Sequence, residues 1–446
     1  MAATLRLAGP LAGANLLQML ISATDVVFVA RLGEKELAAS SLGIAVYGLV
    51  LWCLSGLTGA VAALIAEEVG RKRHAVRQVR RSTRMGLWLA VGCGTLGMGA
   101  TLLAIPATRL TGQDPEVARL AAQFVVVLVF AMVPMLIANV LRNFVSALGR
   151  PLFATLITAL MIALNALGNW LLVYGNWGFP ALGLRGSAIS TVITGCGFAA
   201  CYVIAIARDR RLRRYHVWGN FWRPEWSMLR ALLKIGLPIL VTILAEAGIF
   251  SAAAFMMGAL GPLPLAAHTL ALQIAALAFQ LPFGIGQAAT IRVGYHFGAG
   301  DRAAIGRAGQ AAIATGVGCM MLTASAMLFA PLLLLRIYID PAAPENAALV
   351  RLASGYMVIA AAFQLADGMQ AVAMGSLRGL QDTRVPMLFA LFGYWVPGLG
   401  VALFLGFMTP LGGFGIWIGL AVGLIVVALL MLQRWARRAR LGLLPA

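Results

Sequence analysis

Three carboxylates stand where apolar runs normally carry none. Asp25 lies in "ISATDVVFVA", Glu246 in "VTILAEAGIFSAAAF" and Asp367 in "AAFQLADGMQAVAMG". An ionised side chain at the centre of a membrane-spanning helix costs at least about 2.5–3.5 kcal/mol, and groups kept there usually line an ion or substrate pathway. Such an acid can hold a proton or share its charge with a cation, so the chemistry it suggests is exchange rather than bond making. No Lys or Arg lies within about two turns of Glu246 on its own helix, so no local salt bridge accounts for it. Asn165 and Asn169, in "LNALGNWLLVYG", share a helix face by their i, i+4 spacing and are expected to serve Asp25. Gln18, seven residues before Asp25, falls on roughly the same face. Gln273, Gln280 and Gln364 are the amide candidates later in the chain. Glu67, Glu68, Asp209, Asp301, Asp340, Glu345 and Asp382 fall in loops or near the ends of apolar runs, where solvent or a neighbouring arginine answers them.

The elements that carry these residues follow from composition. Of 446 residues 61% are hydrophobic and only 11% charged, against about 25% in soluble proteins. Apolar runs of about 20 residues recur, each long enough to cross a bilayer as a helix. They do not alternate in the short segments of a membrane β-barrel. The fold class is therefore an all-α integral membrane protein. Twelve spans are expected, at 7–31, 37–66, 85–106, 117–145, 152–174, 184–207, 231–258, 265–294, 308–335, 348–375, 385–408 and 412–434. The formal net charge of +19 resides mostly in short loops, such as "RKRHAVRQVRRSTR" with Arg71, Lys72, Arg73, Arg77, Arg80, Arg81 and Arg84. By the positive-inside rule these loops and both termini are cytoplasmic, and the basic side chains meet lipid head groups rather than nucleic acid. Cys53, Cys93, Cys196, Cys201 and Cys319 lie in apolar runs without CxxC pairing, and the four histidines form no metal motif. There is no clustered aspartate run of the kind that holds Mg²⁺. No cofactor and no enzyme activity are expected.

The chain also repeats itself. "LGEKELAASSL" at 32–42 matches "LGPLPLAAHTL" at 260–270, an offset of 228 residues that also places Pro10 on Pro238. Two six-helix halves are expected, residues 1–215 and 216–446, inserted in the same orientation and pseudo-symmetric around a central cleft. Asp25 then stands in the first half, Glu246 and Asp367 together in the second. Pro10 and Pro238 fall near the start of paired helices, either as first-turn residues, where proline is tolerated, or as gating kinks.

An ordered set of segments resembles the multidrug and toxic compound extrusion (MATE) family in its NorM-like bacterial branch. The set comprises "LAGPL…DVVFVARLG…LAA", "LRNFVSALGRP", "LNALGNWLLVYG", "IGLPI…AEAGIF", "LGPLPLAAHTLALQ", "IRVGYHFGAGD" and "GSLRGLQDT", over nearly the whole chain. The resemblance implies a multi-pass transporter of the bacterial inner membrane. It would export cationic or hydrophobic compounds in exchange for Na⁺ or H⁺ by alternating access, as a monomer among membrane lipids. It places Asp25, Glu246 and Asp367 at the family's transmembrane acids, makes Glu246 and Asp367 a candidate Na⁺ site, and assigns Asn165 and Asn169 to the first-half cavity. Gln18, Gln273 and Gln280 are expected to line the substrate cavity. The alternative is a flippase for lipid-linked precursors, which would need cationic rather than acidic buried charge.

Overall fold

A computed structural model describes residues 1–72, 74–108, 114–219 and 221–445; Arg73 of the basic loop lies outside them. Among the described residues twelve helices are long and apolar enough to cross a membrane. They are α1 Ala2–Ala30, α2 Glu34–Arg71, α3 Ala75–Pro106, α4 Pro115–Ala147, α5 Leu152–Tyr174, α6 Leu184–Arg208, α7 Trp226–Leu260, α8 Pro262–Gly298, α9 Arg302–Phe329, α10 Pro344–Gly379, α11 Arg384–Phe407 and α12 Gly413–Ala436. Each expected span has its helix. The third starts ten residues earlier than expected, and the ninth is shifted as a whole, starting and ending about a turn and a half earlier than 308–335. Ala330 leaves helical geometry and Pro331 begins a separate short helix, Pro331–Leu335, because proline is accommodated at a helix start where its missing N–H is not needed.

Helix ends follow local chemistry. Asp301 caps α9 by accepting from the backbone N–H of Ala304 at 2.8 Å, and Gly175 ends α5 in the left-handed conformation that glycine adopts without steric cost. Near the middle of α11 the segment Tyr394–Gly398 widens into a π-helical turn around Pro397, a local adjustment to a residue that cannot donate to the preceding turn.

The two prolines sit deeper than first-turn positions. Pro10 is the ninth residue of α1 and Pro238 the thirteenth of α7, both inside continuous helix. Two residues past each proline the chain changes compact unit. One unit is Gly13–Leu240; the other is Met1–Ala12 together with Val241–Ala446. This partition differs from 1–215 and 216–446 in two segments, and packing explains both. The approach to α7 is bound into the first unit: Glu225 pairs with Arg81 and Arg84 of α3, and a Cβ on Gly236 would stand 2.6 Å from the carbonyl oxygen of Leu57. The start of α1 is bound into the second: Arg292 donates to Thr4, and a Cβ on Gly284 would stand 2.7 Å from the backbone of Ala12.

The peripheral acids have the local roles expected of them. Asp209 meets Arg150 at 3.3 Å, Asp382 meets Arg434 at 2.5 Å, and Glu67 pairs with Arg71 one turn on. Glu225 is the most consequential, because the side chain of Arg84 that it answers is only 4% exposed. Glu225→Ala removes the carboxylate shared by both arginines, and breaking a buried pair from one side is costly. We expect a loss of about 3 kcal/mol, read as a lowered melting temperature of the detergent-purified protein, with Glu225→Gln intermediate.

Candidate functional site

In the unit Gly13–Leu240, α1 presents Asp25 to α5 and α6. Its carboxylate is 7% exposed. One oxygen accepts from Asn165 Nδ2 at 3.0 Å and Asn169 Nδ2 at 2.7 Å, the other from Thr191 Oγ1 at 3.1 Å. The i, i+4 spacing sets both amides on one face of α5, as the sequence suggested. The helices come close enough because of a glycine: a Cβ at Gly168 would lie 2.4 Å from Ser190 Oγ. Ser190 in turn donates to the Asn165 carbonyl at 3.0 Å. Among the described residues no basic side chain pairs with Asp25. Its charge is met by neutral donors alone, in a site that can give up or take on a proton or small cation without breaking an ion pair.

Gln18 is placed differently from the expectation. It does not join Asp25; its amide oxygen and that of Asn15 accept from Arg142 Nη1 at 3.4 and 3.3 Å. Thr191 and Arg142 were not anticipated. Thr191 belongs to the stripe Ser187, Ser190, Thr191, Thr194, whose i, i+3, i+4, i+7 spacing was a readable signal. Arg142, half-buried, lies inside the expected span 117–145, so the charge within the spans is not acidic alone.

The other unit builds a second cluster. Glu246 of α7 and Asp367 of α10 lie close enough to act on one another electrostatically, and Tyr394 of α11 is within range of both. Among the described residues no basic side chain pairs with Glu246 within 4.0 Å; Arg378, from α10 rather than from its own helix, acts on it only at longer range. Gln364, Asp367 and Gln370 follow at i, i+3, i+6 on α10 and are 0%, 5% and 2% exposed. Gln370 donates to the Tyr394 hydroxyl, and Gln364 Nε2 reaches the Ala275 carbonyl at 3.5 Å. Asp367 Oδ1, Gln364 Oε1 and Gln370 Oε1 are buried without a hydrogen-bond partner among the described residues. Buried acceptors left this way are expensive, and oxygen acceptors grouped around two carboxyls suit a hard cation or protons. The described residues include no cluster of three or more His, Cys, Asp or Glu side chains that could hold a metal; any ion here would rest on the acid pair with amide and phenol oxygens. Glycines bring the helices together, since a Cβ on Gly375 of α10 would stand 2.2 Å from the Gly286 carbonyl oxygen of α8.

Gln280 and Gln273 do not join this cluster. Gln280 Nε2 turns back on its own helix to the Ala276 carbonyl at 3.3 Å, and Gln273 is exposed. An amide in an apolar helix can always satisfy itself one turn back, so residue type alone did not place it. Gln370 and Tyr394, which the sequence did not single out, take part instead.

Comparisons with known proteins show the family and the fold. The MatE family model matches residues 10–171 and 238–404, two stretches that begin at the paired prolines. The probable multidrug resistance protein NorM of Brucella suis biovar 1 (strain 1330) is 43% identical over 438 residues, 98% of this chain and 93% of that protein. Its counterpart from Mesorhizobium japonicum is 43% identical over 446 residues, 99% and 94% of the two chains. The multidrug resistance protein NorM of Burkholderia vietnamiensis is 38% identical over 433 residues, 97% and 93%. Among solved structures, an outward-facing multidrug resistance MATE family transporter of the MOP superfamily superposes with a TM-score of 0.86 at 22% identity, over 100% of this chain and 96% of that one. The eukaryotic MATE transporter AtDTX14 gives 0.85 at 20%, over 99% and 98%.

The donors to Asp25 yield a direct test. Asn169→Ala strips the shorter of its hydrogen bonds and leaves a buried carboxyl short of a partner, which costs about 1–3 kcal/mol. Thr191→Val, nearly isosteric, should cost about 1 kcal/mol. Both are expected as lowered melting temperatures, and Asn169→Ala in an Asp25→Asn background should lower stability less than it does alone.

Proposed function

The chain belongs to the MatE family of transporters, and on that premise we propose that it is a secondary multidrug exporter, carrying cationic or hydrophobic compounds outward in exchange for Na⁺ or H⁺ by alternating access. The observation that carries this reading is the buried Asp367, with an unpartnered carboxylate oxygen and the unpartnered amide oxygens of Gln364 and Gln370 on its own helix, and the half-buried Glu246 in electrostatic range. Two acids this close repel when both are ionised, so the pair gains most from a cation or a proton. A cationic cargo and a coupling ion then compete for the same negative charge. Arrival of one weakens the hold on the other, which is coupling without any covalent step.

Asp25 supplies a second acid of the same kind, held by three neutral donors in the other unit. Its hydrogen-bond shell preserves the geometry of the site when the charge changes, because amide and hydroxyl groups can remain in place around a neutral carboxyl. Both termini are assigned to the cytoplasm and the protein to the bacterial inner membrane, on the support of the basic loops and the bacterial relatives. The membrane potential adds about 2.3 kcal/mol per charge per 100 mV to an inward-moving cation. An exchange that moves net positive charge inward is therefore driven by it, and exchange of equal charges is not.

Drug counterflow in proteoliposomes, with Na⁺ and pH gradients imposed separately, tests the proposal and identifies the ion: one gradient should drive uptake and the other should not. Glu246→Gln and Asp367→Asn are expected to lower gradient-driven transport at least about tenfold, the effect of removing an interaction worth about 1.4 kcal/mol or more, with normal membrane insertion. Asp25→Asn is expected to impair transport as well. Full transport in either of the first two variants would remove that residue from the mechanism.

A further inference from the structure

The connection between the sixth and seventh spans is folded onto the first unit. It runs from Asp209 to Glu225, between the end of α6 at Arg208 and the start of α7 at Trp226, and is described throughout except at Asn220. Asp209 accepts from the backbone N–H groups of Arg211 and Leu212 at 2.8 and 3.1 Å and so caps the short helix Arg210–Arg213. Leu212, Tyr215 and Val217 are buried, and the Tyr215 ring meets Phe144 of α4 edge-on at 5.8 Å. Further on, the Phe221 carbonyl accepts from Trp88 Nε1 of α3 at 3.0 Å, and the backbone N–H of Glu225 meets the Met85 sulfur at 3.2 Å. Met85 and Trp88 open the apolar run of α3. This part of the connection therefore lies at the depth where a span enters the head-group layer.

The inward residues fix the segment, and the outward ones present aromatic surface and charge together. Trp218, Trp222 and Trp226 are 43%, 82% and 64% exposed. Phe221 gathers two of them, with ring centroids 6.5 Å from Trp218 and 5.7 Å from Trp222. Arg210, Arg211, Arg213 and Arg223 are exposed. Among the described residues none of these four has a carboxylate within 4.0 Å, because the two acids of the segment are engaged elsewhere. Asp209 meets Arg150, and Glu225 meets Arg81 and Arg84. Unanswered guanidinium groups thus stand on the same short segment as three large exposed rings. Tryptophan settles at the boundary between head groups and hydrocarbon, and a guanidinium takes phosphate in a forked pair of hydrogen bonds.

We propose that this connection is a built recognition site for anionic phospholipid: Arg210, Arg211, Arg213 and Arg223 take the phosphate while Trp218, Trp222 and Trp226 enter the head-group layer. It stands apart from the general attraction of basic loops for a negative membrane surface. That attraction depends on the number of charges, and any cytoplasmic arginine serves it equally. Here a capped helix and three buried anchors hold the arginines in place, so these arginines count for more than others equally exposed. The occupant is lipid because the bond from Trp88 sets the segment at the level of the phosphate layer. The site is independent of what the protein exports.

The test is fluorescence anisotropy of tail-labelled phosphatidylglycerol and tail-labelled phosphatidylcholine, each titrated with the full chain in a neutral detergent. The unaltered protein should bind phosphatidylglycerol at least about tenfold more tightly. Arg210→Gln, Arg211→Gln and Arg213→Gln combined should abolish that preference. Arg384→Gln, Arg437→Gln and Arg440→Gln combined remove equal charge from exposed positions at the ends of α11 and α12, and should leave the preference nearly intact. Trp222→Ala should weaken both lipids about threefold and keep their ratio. The substituted side chains are exposed, so unchanged melting temperatures should accompany each variant and tie a loss of binding to the site. Equal losses from the two arginine triplets would assign the effect to diffuse charge and overturn the proposal. Displacement of the lipid by inorganic phosphate at constant ionic strength would make this a site for soluble anions and overturn the lipid assignment. Each of these outcomes leaves the export reading as it stands.

Discussion

A polar group in hydrocarbon has no water to turn to, and that constraint organises the molecule. Every acid placed in a spanning helix must be answered by another side chain, a backbone group or something that arrives. Asp25 is answered fully, by two amides and a hydroxyl. The cluster around Glu246 and Asp367 is answered only in part, with three acceptor oxygens left over. The two sites therefore differ in what they ask of their surroundings. At Asp25 both carboxylate oxygens are answered and the orphan is an amide oxygen of the shell, Asn169 Oδ1; at Asp367 a carboxylate oxygen itself is left over. Close glycine contacts make both possible, since helices held a side chain's width apart could not bring donors on one to acceptors on another.

What the sequence revealed depended on contrast. A carboxylate or asparagine in an apolar run is conspicuous, and its helical spacing fixes the face it occupies, so the group Asp25, Asn165 and Asn169 was legible before any coordinates. Gln18 was misplaced for an instructive reason. Its seven-residue spacing does put it on the face of Asp25, but that face spans about 10 Å of helix and meets different neighbours along its length. Arg142 is one of them, and it went unread because a basic residue near a helix end looks like part of the cytoplasmic charge. Gln370 and Tyr394 were illegible in another way: amides and tyrosines are common in such helices, and the π-helical turn that begins at Tyr394 is a backbone event with no residue signature beyond Pro397.

The repeat was legible as well, but its structural meaning was not. The 228-residue offset marked two homologous halves, and a boundary in the basic connection around 208–230 was the natural reading. Tertiary contacts override chain order here. Glu225 and Gly236, although they precede the second half's core, are committed to the first unit by an ion pair and a backbone contact. Thr4 and Ala12 are committed to the second.

Because each compact unit contains the opening segment of the other's first helix, the arrangement is a domain swap preserved within one polypeptide. A single half cut from the gene would present an empty groove where a borrowed segment belongs, together with a stub of helix that has no place to dock. Each half therefore depends for its packing on chain that belongs to the other, and the two are expected to fold together rather than in turn.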